Sequence, residues 1–212
     1  MKLVKHNIPD FPIPEYQHSA YGSPDFGQIF MDVVPGSTLK STWSGLDDTT
    51  RERICRETWA WVLLLRQIPK PSEQSLPFQY CADGFPSHDV LIEDLQKPPR
   101  SLLDDAAVRN RIYERYRHYH GERFAKELPD MLPRLNHSAF THGDISQNIM
   151  IDESHSVIGI IDWETAGWYP EYWEYANVVK PGSEREWGEW MDRTAPQRWN
   201  LEGIKAARRA LF

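Results

Sequence analysis

The alternation of apolar and polar positions divides the chain into a proline-broken start, a strand, two helices separated by a long loop, and a hairpin. In residues 1–24 the pairs Ile8-Pro9, Phe11-Pro12 and Ile13-Pro14 force extended backbone and exclude a long helix. The run from Gln28 to Val34 is apolar and stops at Pro35-Gly36, which reads as a strand entering a turn. Asp47, Asp48 and Thr49 can cap a helix starting near Thr50. Ile54, Thr58, Trp61, Val62, Leu65 and Ile68 then recur at helical spacing until Pro69 stops the pattern. The proline-rich stretch 69–100 predicts loop, with a short strand near Val90-Leu91-Ile92. A second helix is predicted from Asp104 to Leu128, with Ile112, Tyr116 and Tyr119 on one side. Ile149-Met150-Ile151 and Val157–Ile161 are separated by the polar turn Asp152-Glu153-Ser154-His155, a hairpin signal.

Composition narrows the class. With 40% hydrophobic and 26% charged residues among 212, the chain has the makeup of a folded globular domain. Nine Trp and nine Tyr read first as core residues, Trp187 and Trp190 included; Trp168 and Trp173 are the two with a candidate ligand-facing role. A net charge of -7 repels nucleic acid and anionic lipid, so neither is an expected partner. Cys55 and Cys81 make neither a disulfide framework nor a zinc site, which suits a reducing compartment. The start MKLVKHNIPDFP has no apolar signal region, and no apolar run is long enough to span a bilayer. The expectation is a cytoplasmic protein without a membrane partner.

Chemistry concentrates around the hairpin. Asp144 and Asn148 precede its first strand and Asp162 follows its second, so three oxygen-bearing side chains meet at one end. Mg²⁺ favours such a set, completed by phosphate oxygens and water. A further Asp beside the metal can take a hydroxyl proton, which is most of what phosphoryl transfer asks of a protein. Asp and Asn are also ordinary turn residues. It is their combination, His142-Gly143-Asp144, Asn148 and Ile160-Ile161-Asp162-Trp163-Glu164, that separates the two readings.

These motifs resemble those of the aminoglycoside phosphotransferase and choline kinase-like family, distant relatives of protein kinases. The stretch from Ala166 to Tyr175 is similar to one seen in fungal members, and the likeness runs from about residue 4 to residue 190. The resemblance implies an α+β, protein-kinase-like fold with a mostly helical large lobe at 35–212 and a remnant of the small lobe with the hinge at 1–34. It implies ATP and Mg²⁺ as cofactors and transfer of phosphate to a small-molecule hydroxyl acceptor. Carried over, it makes Asp144 the catalytic base and Asn148 and Asp162 the metal ligands. His142 becomes a brace for the loop, and the Asp32 carbonyl and Val34 amide become the groups that bind the adenine edge. Glu171, Glu174, Glu184, Glu186 and Glu189 hint at a cationic or polyol acceptor.

Two departures from the family pattern change the expected activity. No glycine-rich phosphate loop occurs, and Lys2 and Lys5 sit outside any strand pattern, so the lysine that grips the phosphates is missing. Only Ile145, Ser146 and Gln147 separate Asp144 from Asn148, where the kinase pattern has four residues. Together they predict weak or absent turnover. A truncated or pseudokinase-like member, binding nucleotide, ligand or partner without turnover, has the same signature. His142-x-Asp144 is also half of a non-haem iron triad, for which His155 is the one downstream imidazole.

Overall fold

A computed structural model describes residues 1–23, 26–71, 77–146, 148–180 and 185–211, with side chains outside 21–27. The chain opens with helix α1 (Lys2–Asn7), then strands β1 (Tyr16–Ser23), β2 (Phe26–Met31) and β3 (Ser37–Thr38). Helices α2 (Leu39–Thr42) and α3 (Asp48–Leu65) follow, then β4 (Tyr80–Cys81), α4 (Asp105–His118) and α5 (Leu128–Met131). The last part runs β5 (Ser138–Thr141), β6 (Ile149–Ile151), β7 (Val157–Ile160), β8 (Gly167–Pro170), α6 (Trp173–Val178), α7 (Arg185–Thr194) and α8 (Glu202–Leu211). Among the described residues the strands form three antiparallel sheets, ordered β1-β2, β3-β6-β7 and β4-β8-β5. The fold is α+β, as the resemblance implies, and among the described residues the longer helices α3, α4, α7 and α8 all lie beyond residue 38.

Local chemistry explains most boundaries. Asp47 caps α3 by accepting from the Thr50 amide at 2.7 Å, and the face Ile54, Thr58, Val62 and Leu65 is buried. Asp104 caps α4 in the same way through Ala107. The single long helix expected from Asp104 to Leu128 is two, α4 and α5. After Tyr119, His120 turns left-handed at φ 60°, its amide bonds the Arg117 carbonyl, and the Gly121 amide bonds the Tyr116 carbonyl at 2.8 Å. This pair of bonds is a Schellman stop.

Two strand expectations need correction. Val90 to Ile92 is a turn held by the Asp89 side chain and carbonyl; the strand of that region is β4. The apolar run from Gln28 ends its pairing at Met31, and Ile29, Phe30, Met31 and Val33 are exposed. The core gathers instead around α3, α4, the three-stranded sheets and α6, and includes Trp173, Trp187 and Trp190.

Candidate active site

The hairpin delivers the two halves of the site to one end. β6 and β7 pair from Ile149 against Ile160, and one step further the Ile161 amide donates to the Asn148 carbonyl at 2.9 Å. Asp162 is therefore the next residue beyond the pair, directly beside Asn148. Its backbone is left-handed at φ 63°, a conformation that costs an L residue energy and that clusters at functional sites. The Asp152–Ser156 turn lies at the opposite end of the hairpin.

β5 feeds the other half. Its pairing with β8, Thr141 against Gly167, sets His142-Gly143-Asp144 beside residues 162–166. His142 is buried; its Nδ1 accepts from the Asp144 amide at 3.2 Å, so Nε2 is the protonated nitrogen and donates to the Ile161 carbonyl at 2.9 Å. Burial pushes the imidazole pKa down to about 4. Trp163 stands edge-on to the same ring at 4.6 Å and meets Phe11 on its other side. Gly143, at φ 89°, allows the loop to pass Thr165: a Cβ there would lie 2.9 Å from Thr165 Oγ1. The Thr165 hydroxyl donates to the His142 carbonyl.

α6 holds the loop from beneath. The buried Glu174 carboxylate accepts from the His142 amide at 2.7 Å and from the Gly143 amide at 3.1 Å. Burial raises its pKa, against those two donors. Asn177 donates to the Gly143 carbonyl at 2.7 Å, and the buried Arg208 guanidinium in turn bonds Asn177 Oδ1 and the Ala176 carbonyl. Glu174, Asn177 and Lys180 recur at a spacing of three, so one side of α6 and its extension faces the His142-Gly143-Asp144 loop. That spacing is visible in the sequence, where only Glu174 suggests a role, as an acid facing the acceptor. Glu171 instead pairs with Arg66 and His137, Glu186 with Arg51 and Glu189 with Arg185, so the acceptor-binding acids expected there belong to other contacts. Glu184 lies outside the described residues.

Asp144, Asn148 and Asp162 line one cavity of about 1050 Å³, together with Glu164, Lys180 and residues 88–90. The short loop closes without its fourth residue: the Asn148 amide bonds the Ile145 carbonyl, and the Asn148 side chain donates to the Asp144 carbonyl at 2.7 Å. That partner identifies Nδ2 and leaves Oδ1 as the oxygen end. One amide oxygen plus the Asp162 carboxylate is a donor set that suits Mg²⁺ with its phosphate and water ligands. Among the described residues no group of three or more His, Cys, Asp or Glu could hold a metal.

Asp32 and Val34 do not line this cavity. They follow β2, the Asp32 amide donating to the Glu15 carbonyl, and Val34 packs over the hairpin where a Cβ on Gly159 would lie 2.8 Å from its Cγ1. Trp173 reaches the cavity but is buried, with Nε1 on Asp89; Trp168 is stacked on Tyr80 in the core. The iron reading fails on geometry, since both His142 nitrogens are bonded to main chain and His155 sits at the far end of the hairpin.

The fold recurs in known proteins. Aminoglycoside-3'-phosphotransferase of type VIII superposes with a TM-score of 0.56 at 16% identity, covering 100% of this chain and 78% of that one. An apo thermostable mutant of aminoglycoside phosphotransferase APH(4)-Ia gives 0.60 at 14% identity, covering 98% and 71%. The gentamicin complex of APH(2")-IIa gives 0.55 at 14%, covering 99% and 67%. These likenesses establish a kinase-like fold. No curated protein matches the chain. Among the described residues no helix is long and apolar enough to cross a membrane. The profile of the phosphotransferase enzyme family matches residues 2–208, and the chain belongs to that family.

Proposed function

We propose that this phosphotransferase moves the γ-phosphate of ATP, with Mg²⁺, to a hydroxyl of a small molecule. The observation that carries the reading is the convergence of Asp144, Asn148 and Asp162 on one cavity at the open end of the β6-β7 hairpin. Asp144 accepts the hydroxyl proton. Asn148 Oδ1 and Asp162 hold the metal, which supplies charge to offset that of the phosphates. His142 and Glu174 fix the loop that aims Asp144, the first through Ile161 and the second through two loop amides.

Residues 1–34 bear on the nucleotide and 35–212 on the chemistry. The Asp32 carbonyl and Val34 amide lie past the last β1-β2 pair and are assigned to the adenine edge. Related folds have been captured with GDP, and one with AMP-PNP and hygromycin B, which favours a nucleotide donor and a hydroxyl-rich acceptor here. Titration with ATP and Mg²⁺ by calorimetry, followed by a nucleotide-turnover assay over a panel of small alcohols, tests the reading. Absence of Mg²⁺-dependent nucleotide binding would refute it.

A further inference from the structure

The cation paired with Asp144 is Lys180, whose Nζ lies 3.0 Å from Oδ1. It follows α6 just past the cap residue Val179, and α6 is tied to the catalytic loop by Glu174 and Asn177. The contacts that shape the loop therefore also fix where the lysine stem begins. Lys2, one of the two lysines ahead of the hinge, lies over the Tyr16 ring and outside the cavity. Of the arginines in the cavity wall, Arg208 is buried and bonded to Ala176 and Asn177, and Arg209 is exposed on α8.

We propose that Lys180 supplies the positive charge that meets the transferred phosphoryl group, a task the sequence assigns to no residue. The inference rests on the phosphotransferase reading above. In that reaction the acceptor oxygen bonds to the γ-phosphorus while the bond from γ-phosphorus to the bridging oxygen breaks. That electron pair leaves with ADP, and the hydroxyl proton passes to the Asp144 carboxylate. The acceptor oxygen must touch both Asp144 and phosphorus, so the equatorial phosphoryl oxygens come within reach of a cation already bonded to Asp144. An ammonium on a four-carbon stem can swing between the two, because it is a compact charge with rotatable donors. Before the nucleotide arrives it orients the base; during transfer it offsets the charge spread over the phosphoryl oxygens.

Calorimetry on the full chain with Mg²⁺ and either ADP or the non-hydrolysable AMP-PNP tests this without relying on turnover. The unaltered protein and Lys180→Arg are expected to prefer AMP-PNP. Lys180→Met is expected to lower AMP-PNP affinity about tenfold, the worth of a charge-assisted hydrogen bond, at unchanged ADP affinity. Its kcat should fall on the order of 10³. If Lys180→Met keeps the AMP-PNP preference, or if Arg209→Met loses it instead, Lys180 only orients Asp144 and the inference is overturned while the phosphotransferase reading stands. If the unaltered protein binds neither nucleotide, both are overturned together.

Discussion

The side-chain nitrogen of Asn148 lies 2.7 Å from the main-chain oxygen of Asp144, and this bond draws a loop of three intervening residues closed. Asn148→Asp places an acceptor against that carbonyl, and Asn148→Ala removes the donor and the side-chain oxygen proposed as a metal ligand together. Both should weaken Mg²⁺-dependent nucleotide binding. The Asp variant should also lose about 1–3 kcal/mol of stability, the cost of an unpaired polar group. Equal urea midpoints for Asn148→Asp and the unaltered chain would show that the bond does not hold the loop.

Asp162 and Asp144 should separate binding from chemistry. Asp162→Asn tolerates the left-handed backbone at φ 63° while removing the carboxylate charge. It is expected to abolish the Mg²⁺ dependence of ATP binding measured by calorimetry. Asp144→Asn keeps the loop hydrogen bonds and should bind nucleotide normally, yet turn over nothing. Turnover in Asp144→Asn near that of the unaltered enzyme would remove Asp144 from the role of base.

Much of this was readable from local signals. The cap at Asp47, the helix start at Asp104 and the hairpin around Asp152–Ser156 depend on neighbours within a few residues, and all three appear where the sequence puts them. The same locality put Asn148 and Asp162 at one hairpin end. What escaped depends on distant partners. β5 and β8 are short strands that exist by pairing with each other across residues 142–166. Glu174 looks like a surface acid until the loop amides it serves are folded over it. The apolar run at Ile29 to Val33 is exposed, and burial is a property of what packs on a strand, which its own residues do not encode.

Glu174 gives a test in which charge and hydrogen bonding pull apart. Burial penalises its charged form, and Glu174→Gln keeps an oxygen that accepts from His142 and Gly143 while placing its NH2 where Oε1 has no partner, so it should destabilise less than Glu174→Ala. Glu174→Ala leaves two buried amides without acceptors and should cost about 1–3 kcal/mol for each. Thermal unfolding of the pair decides it: a Gln variant as unstable as the Ala variant would mean that the charge itself is needed.

His142 sets the pH range over which the loop stays braced. In the folded chain its pKa is pushed down from 6.5 to about 4 by burial, and the neutral ring is the form whose Nδ1 can accept from the Asp144 amide. The unfolded chain takes up a proton near pH 6.5, and the folded chain does not until about pH 4. Stability contributed by the neutral ring is therefore complete above pH 6.5, declines as pH falls between the two values, and levels off below the lower one. The shift corresponds to roughly 3 kcal/mol. The measurement is the difference in urea unfolding free energy between the unaltered chain and His142→Gln, taken from about pH 7.5 to about pH 4.5, so that titrations elsewhere cancel. The difference should shrink steadily as acid is added. A flat difference would mean that the folded imidazole titrates as it does in water, which a ring bonded on both nitrogens to main chain cannot do without breaking the contact that aims Asp144.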